Sequence, residues 1–90
     1  MEQFKGTKGK WEVSFKDRFA IGIRCNERAL LMVKVEENRA EAEANALLIS
    51  KAPELLEHLI RLVDRMEEND LGNFHSVKRA KQLIKEATEL

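Results

Sequence analysis

The sequence is short of cysteine, of long apolar runs and of any surplus of one charge. Cys25 is the only cysteine among 90 residues, which excludes a disulfide within the chain. The two histidines, His58 and His75, lie far from it and from each other. No metal-ligand spacing results, so no metal is expected. No apolar run approaches the ~20 residues needed to span a bilayer. The N-terminus MEQFKGTKGKW has no apolar signal core. With a free thiol suited to a reducing compartment, these absences predict a cytoplasmic protein without a membrane partner. Charge is balanced, 16 Lys+Arg against 16 Asp+Glu. A global pull toward a DNA or RNA duplex is therefore not expected. Residues 1–28 are mildly basic, with seven cationic side chains against four anionic ones. A local anion site at that end is compatible with this, as is a plainly solvated surface.

Ninety residues make one domain. A chain of this size buries only ~60–65% of its unfolded surface, so its own core is marginal. Without disulfides or metal, oligomerisation is the remaining way to add stability. A homo-oligomer, a dimer or larger, is the default expectation.

Alternation marks the first third. After a polar arm, 1–10, Trp11, Val13 and Phe15 alternate with Glu12 and Ser14. Lys16-Asp17-Arg18 reads as a turn. Phe19, Ile21, Ile23 and Cys25 alternate again, and Asn26-Glu27-Arg28 is a second turn. Leu31, Val33 and Val35 then share one face, with Leu30, Met32 and Lys34 on the other. Three short strands over 11–36 with short connections predict an antiparallel meander. Such a sheet needs a cover.

Helical periodicity fills residues 38–90. Asn38 with Glu41 forms a start resembling a capping box, and a helix is expected from about Arg39 to Lys51. Pro53 then kinks that helix or opens a second one. Leu55, Leu59, Leu62, Val63 and Met66 form a stripe, widened by Leu56 and Ile60. The segment 68–73 breaks the pattern. Asn73 is placed to cap a last helix, with Val77, Ala80, Ile84 and Ala87 facing inward and Leu83 and Leu90 beside them. The predicted class is α+β: a three-stranded meander followed by a helical hairpin of two or three helices.

The stretch EAEANALLISKAPELL, 41–56, has a further peculiarity. With Ala40 before it, alanines fall at every second position through Ala46. At ~100° per residue, Ala40 and Ala44 lie on one side of a helix and Ala42 and Ala46 roughly opposite. Leu47 and Leu48 are expected to extend those two sides. Small residues on two faces let neighbours approach from both, the sheet on one and a helix or second subunit on the other. Alanine is also simply the best helix former.

Few residues suggest chemistry. In the loop KGTKGKW, glycines let a backbone approach a ligand, lysines balance a phosphate and an indole stacks on a base. The P-loop spacing is absent. Thr7, Lys8, Gly9, Lys10 and Trp11 are thus candidate ligand-binding residues, or simply a basic arm leading into a core tryptophan. Asn45 and Ser50 are polar in an apolar helix and need partners if buried. They join the candidate set as ligand contacts or packing residues. Neither histidine has a nucleophile at a recognisable spacing, and the carboxylates sit in i,i+4 relation to Lys and Arg. No catalytic constellation and no cofactor site is expected.

Thr7-Lys8-Gly9-Lys10-Trp11, followed by Glu43-Ala44-Asn45-Ala46-Leu47-Leu48-Ile49-Ser50-Lys51-Ala52-Pro53-Glu54-Leu55-Leu56-Glu57-His58-Leu59, resembles a set of small phage and prophage accessory proteins. Their pattern has an N-terminal Thr-Pro-Gly-Pro-Trp and a later Glu-Ala-Asn-Ala-x-Leu-Ile-x-x-Ala-Pro-Glu-Leu-Leu. Lys8 and Lys10 stand where that pattern has prolines. The resemblance implies a non-enzymatic anti-defence protein of an infected bacterial host, one that sequesters a cyclic nucleotide or related immune signal. In that role Trp11 would stack, Thr7, Gly9 and Lys8 or Lys10 would hold phosphate, and Asn45 would read a base edge. The alternative expectation is a protein-interaction module that binds a host protein through its helical face.

Overall fold

The computed structural model describes residues 3–89. The order is β1 (Trp11–Lys16), β2 (Ala20–Cys25), β3 (Arg28–Lys34), α1 (Arg39–Glu68) and α2 (His75–Thr88). The strands form one antiparallel sheet in the order β1-β2-β3. The α+β meander-plus-hairpin architecture is the one the sequence predicts. The described chain divides into two compact units. One is Thr7–Pro53, and the other runs from Glu54 onward with the first residues of the chain.

In the first unit the sheet is set by its turns. Asp17 Oδ1 accepts the Phe19 and Ala20 amides, both at 2.8 Å, and the Asp17 amide donates to the Ala20 carbonyl at 3.0 Å. A carboxylate that caps its own turn in this way competes well with water. Those two amides hold the Asp17 carboxyl below its usual range, and the Arg39 guanidinium adds to the effect. The second hairpin turns at Asn26, in the left-handed region at φ 57°, where Asn is among the residues that tolerate it. Both strand pairs carry an irregularity, between Val13 and Lys16 and between Ile23 and Arg24. At the second, Leu30 is the extra residue of β3. A bulge of this kind re-aims the residues beyond it.

The inner face of the sheet is the alternating one. Ile21, Ile23 and Cys25 are buried, and Trp11, Val13, Val33 and Val35 pack around them or their helix partners. Phe19 departs from the expectation. It lies in the turn before β2 begins, is 71% exposed, and has the Arg18 guanidinium 6.0 Å from its ring. The Phe15 side chain, expected on the inner face, lies outside the described residues, as does Leu90.

The helix start is as expected, with Asn38 Oδ1 accepting the Glu41 amide at 3.0 Å. The helix end is not. One α-helix of 30 residues continues through Pro53, so of the two expectations the proline lies within a single helix and does not open a second one. Proline has no N–H to donate to the Ile49 carbonyl, and packing of α1 within each unit offsets the local penalty.

Within the second unit, α1 and α2 meet through Val63, Val77 and Ile84, with Leu56, Leu59, Ile60, Met66 and Ala80 around them. Leu55 and Leu62, expected in the buried stripe, are 54% and 57% exposed. The buried arc is centred on Val63, and those two leucines lie ~80–100° away from it. Ala87 is also exposed, and Thr88 takes the buried place instead, its hydroxyl donating to the Ile84 carbonyl at 2.8 Å. The link between the helices is a Schellman turn. Asp70 is left-handed at φ 60°, its amide donates to Glu67 and the Leu71 amide to Met66. Asn73 does not cap α2. The N-cap is Phe74, with no side-chain cap bond, because the turn places Asn73 one residue too early.

Candidate functional site

The arm residues form one structure. The Trp11 indole N–H donates to the Thr7 carbonyl at 3.0 Å. The Cys25 thiol donates to the Lys8 carbonyl at 3.4 Å. These bonds fold 7–10 back over the end of the sheet, beside the Trp11–Cys25 strand pair. Gly9 has φ +117°, and a Cβ there would meet Cys25 Sγ at 2.8 Å. Two independent reasons therefore require glycine, the backbone angle and the close approach. The lysine side chains at 8 and 10 are exposed, and Trp11 is half-buried against the core. Cys25 belongs to this site and was not singled out from sequence. Its only signal was its place at the end of an alternating strand.

The two helical candidates are not brought together. Ser50 is buried, at 3% exposure, and its hydroxyl donates to the Leu47 carbonyl at 2.7 Å. It is a satisfied core residue. Asn45 is exposed, so it has no buried polar group to satisfy. Five helical steps put the two ~140° apart, too far around α1 to line one pocket.

The alternating alanines are resolved by the same helix. Ala42 and Ala46 are buried against Ile21 and Ile23, with Ile49 beside them. Small side chains there let the helix approach the sheet closely. The opposite arc holds Ala40, Ala44, Leu47 and Leu48, all exposed. Leu47 is 58% and Leu48 63% exposed. Both leucines belong to the outward side, rather than one to each, and Ile49 extends the inward one. The edge of this arc is tethered. Arg39 donates to the Asp17 carbonyl at 2.8 Å, and Glu43 pairs with Arg39 at 3.5 Å and Lys16 at 3.6 Å.

The helical hairpin has a charged side. Asp64 and Glu67 on α1 face Lys78, Lys81 and Lys85 on α2, across an open groove of about 390 Å³ floored by Ile60, Val63 and Ile84. Lys81 pairs with Glu67 at 2.8 Å. Among the described residues no group of three or more His, Cys, Asp or Glu is placed to hold a metal ion, and no helix is long and apolar enough to cross a membrane.

No curated protein and no solved structure matches the chain. A family model does, that of Salmonella phage P22 protein Y8K6, over residues 1–89. With nearly its whole length matched, the chain belongs to that phage protein family.

Proposed function

We propose that this phage-family protein works by binding another protein rather than by catalysis, through the outward arc of α1. The observation that carries the reading is the pairing of roles on that helix. Ala42 and Ala46 seat it on the sheet, while Ala40, Ala44, Leu47 and Leu48 form an exposed arc, apolar but for Lys51 within it. Exposed leucines beside alanines lose little on desolvation and let a partner approach closely. The chemistry fits a host protein with an apolar groove or helix of its own. The test is affinity capture from infected cells with quantitative mass spectrometry. A partner retained by the wild type and by Trp11→Ala, but lost with Leu47→Glu/Leu48→Glu, supports the reading. A partner retained equally by the leucine variant overturns it.

A second reading rests on the arm. Gly9 in a left-handed conformation, between exposed Lys8 and Lys10 and next to the Trp11 indole, suits a nucleotide phosphate and base. This is the sequestration of a cyclic nucleotide or related immune signal that the sequence resemblance implies. A panel of cyclic di- and trinucleotides and ADP-ribose derivatives, read by melting temperature and Trp11 fluorescence, tests it. A rise in melting temperature that Trp11→Ala removes favours this reading over the first.

A further inference from the structure

The helical hairpin has a second side, opposite the lysine groove. Measured around each helix from Val63 and Ile84, the groove residues Asp64, Glu67, Lys78, Lys81 and Lys85 all fall in one direction. In the other direction lie Leu55 and Leu62 on α1, and Ala80, Leu83 and Ala87 on α2. Leu55, Leu62 and Leu83 are 54%, 57% and 45% exposed. This side carries apolar side chains on both helices, with His58 and Arg65 beside Leu62 at its rim.

We infer that this face is where a second copy of the chain packs, two hairpins closing into a four-helix bundle. Two observations name that occupant. First, the face is complementary to itself. Leu55 and Leu62 are seven residues apart, so they stand two turns apart as knobs, ~10.5 Å along α1. Ala80 and Ala87 have the same spacing on α2, and leave shallow places for the knobs of a two-fold mate. Second, the hairpin is about 35 residues long, and its core cluster has three buried apolar side chains, Val63, Val77 and Ile84. Units below ~40 residues usually need a disulfide, a metal or an oligomer. The single cysteine lies in the other unit.

This interface rests on residues 55–87 of the hairpin, whereas the proposed partner arc is 40–48 on the same side of α1, Leu48 standing seven residues before Leu55; substitutions confined to one segment therefore test each by itself. The test is sedimentation equilibrium of the full chain with circular dichroism at each stage. The wild type is expected to be a dimer at micromolar concentration. Leu62→Glu/Leu83→Glu should shift it to monomer with its sheet retained, while Leu47→Glu/Leu48→Glu should remain dimeric. A wild type that stays monomeric near 100 µM overturns the inference, as does a dimer that survives Leu62→Glu/Leu83→Glu. Should that variant unfold, cysteine crosslinking decides. In a Cys25→Ser background, Leu55→Cys, Leu62→Cys and Leu83→Cys are oxidised one at a time. At least one should link two chains, and Lys81→Cys should not. Crosslinking at Lys81→Cys alone would place the interface on the charged side and contradict the inference.

Discussion

The two units share one helix and use it differently. In the first, α1 presents alanines to a sheet whose strands already fix each other by backbone hydrogen bonds. Ile21 and Ile23 are almost wholly buried there, at 0% and 1% exposure, and a folded arm closes one end. In the second, α1 presents Leu56, Leu59, Ile60 and Val63 to a single other helix. No sheet assists, and order rests on side chains alone. Small residues suffice where a neighbour is rigid; larger ones are needed where two helices must hold each other. Both units leave leucines half-exposed on the outward side of α1, Leu47 and Leu48 in the first and Leu55 and Leu62 in the second.

The same substitution made in both cores should separate the two units most. Ile23→Ala should cost about 3–4 kcal/mol and Ile84→Ala about 2–3 kcal/mol, by lost burial and the cavity left behind. Urea unfolding followed by Trp11 fluorescence and by helix ellipticity measures both. Larger loss at Ile84 would reverse the ranking of the two cores. Pro53 lies at the boundary between the units, and its replacement comes next. Pro53→Ala should restore one helical hydrogen bond and raise stability by roughly 1–2 kcal/mol, part of the ~3 kcal/mol proline penalty being offset by lost ring contacts. A fall in melting temperature would mean that the half-buried ring is itself required. At the arm, Gly9→Ala should cost about 1–2 kcal/mol through its backbone angle and the clash with Cys25. Adding Cys25→Ala should recover the part due to the clash, so the two changes are not additive.

The smallest effect is at Asp17. Its carboxyl is held below the ordinary value of 3.8 by two backbone amides. A depressed carboxylate contributes stability that is present above its unfolded pKa and lost as pH falls through the folded one. The turn should therefore weaken only in acid. An NMR titration should place the Asp17 midpoint below 3.8, and Asp17→Asn should flatten the acid limb of the stability profile. A midpoint at or above that value would remove the turn's electrostatic support.

Much of the fold was legible because its signals are local. Strict alternation in Ile21, Ile23 and Cys25 and the capping residue Asn38 each describe a few neighbouring positions. What was not legible depends on distant partners. Pro53 reads as a boundary by local rules, yet the sheet and α2 each hold their half of the helix. Leu55 and Leu62 read as core because they are leucines in a helical stripe, but only the position of α2 decides which arc is buried. Asn73 was one residue from the true cap, since the left-handed turn at Asp70 sets the spacing. The candidate site divided in the same way. Thr7 through Trp11 formed a contiguous, hydrogen-bonded loop, while Ser50 and Asn45, chosen for their polarity, turned out to face different directions.

In the reading proposed above, the outward arc of α1, and not the arm, binds the partner. Hydrogen–deuterium exchange of the protein alone and with its captured partner tests this most directly. New protection is expected at the backbone amides of 40–48 and their flanks, with 7–11 unchanged. Protection confined to 7–11, with 40–48 unaltered, would contradict it.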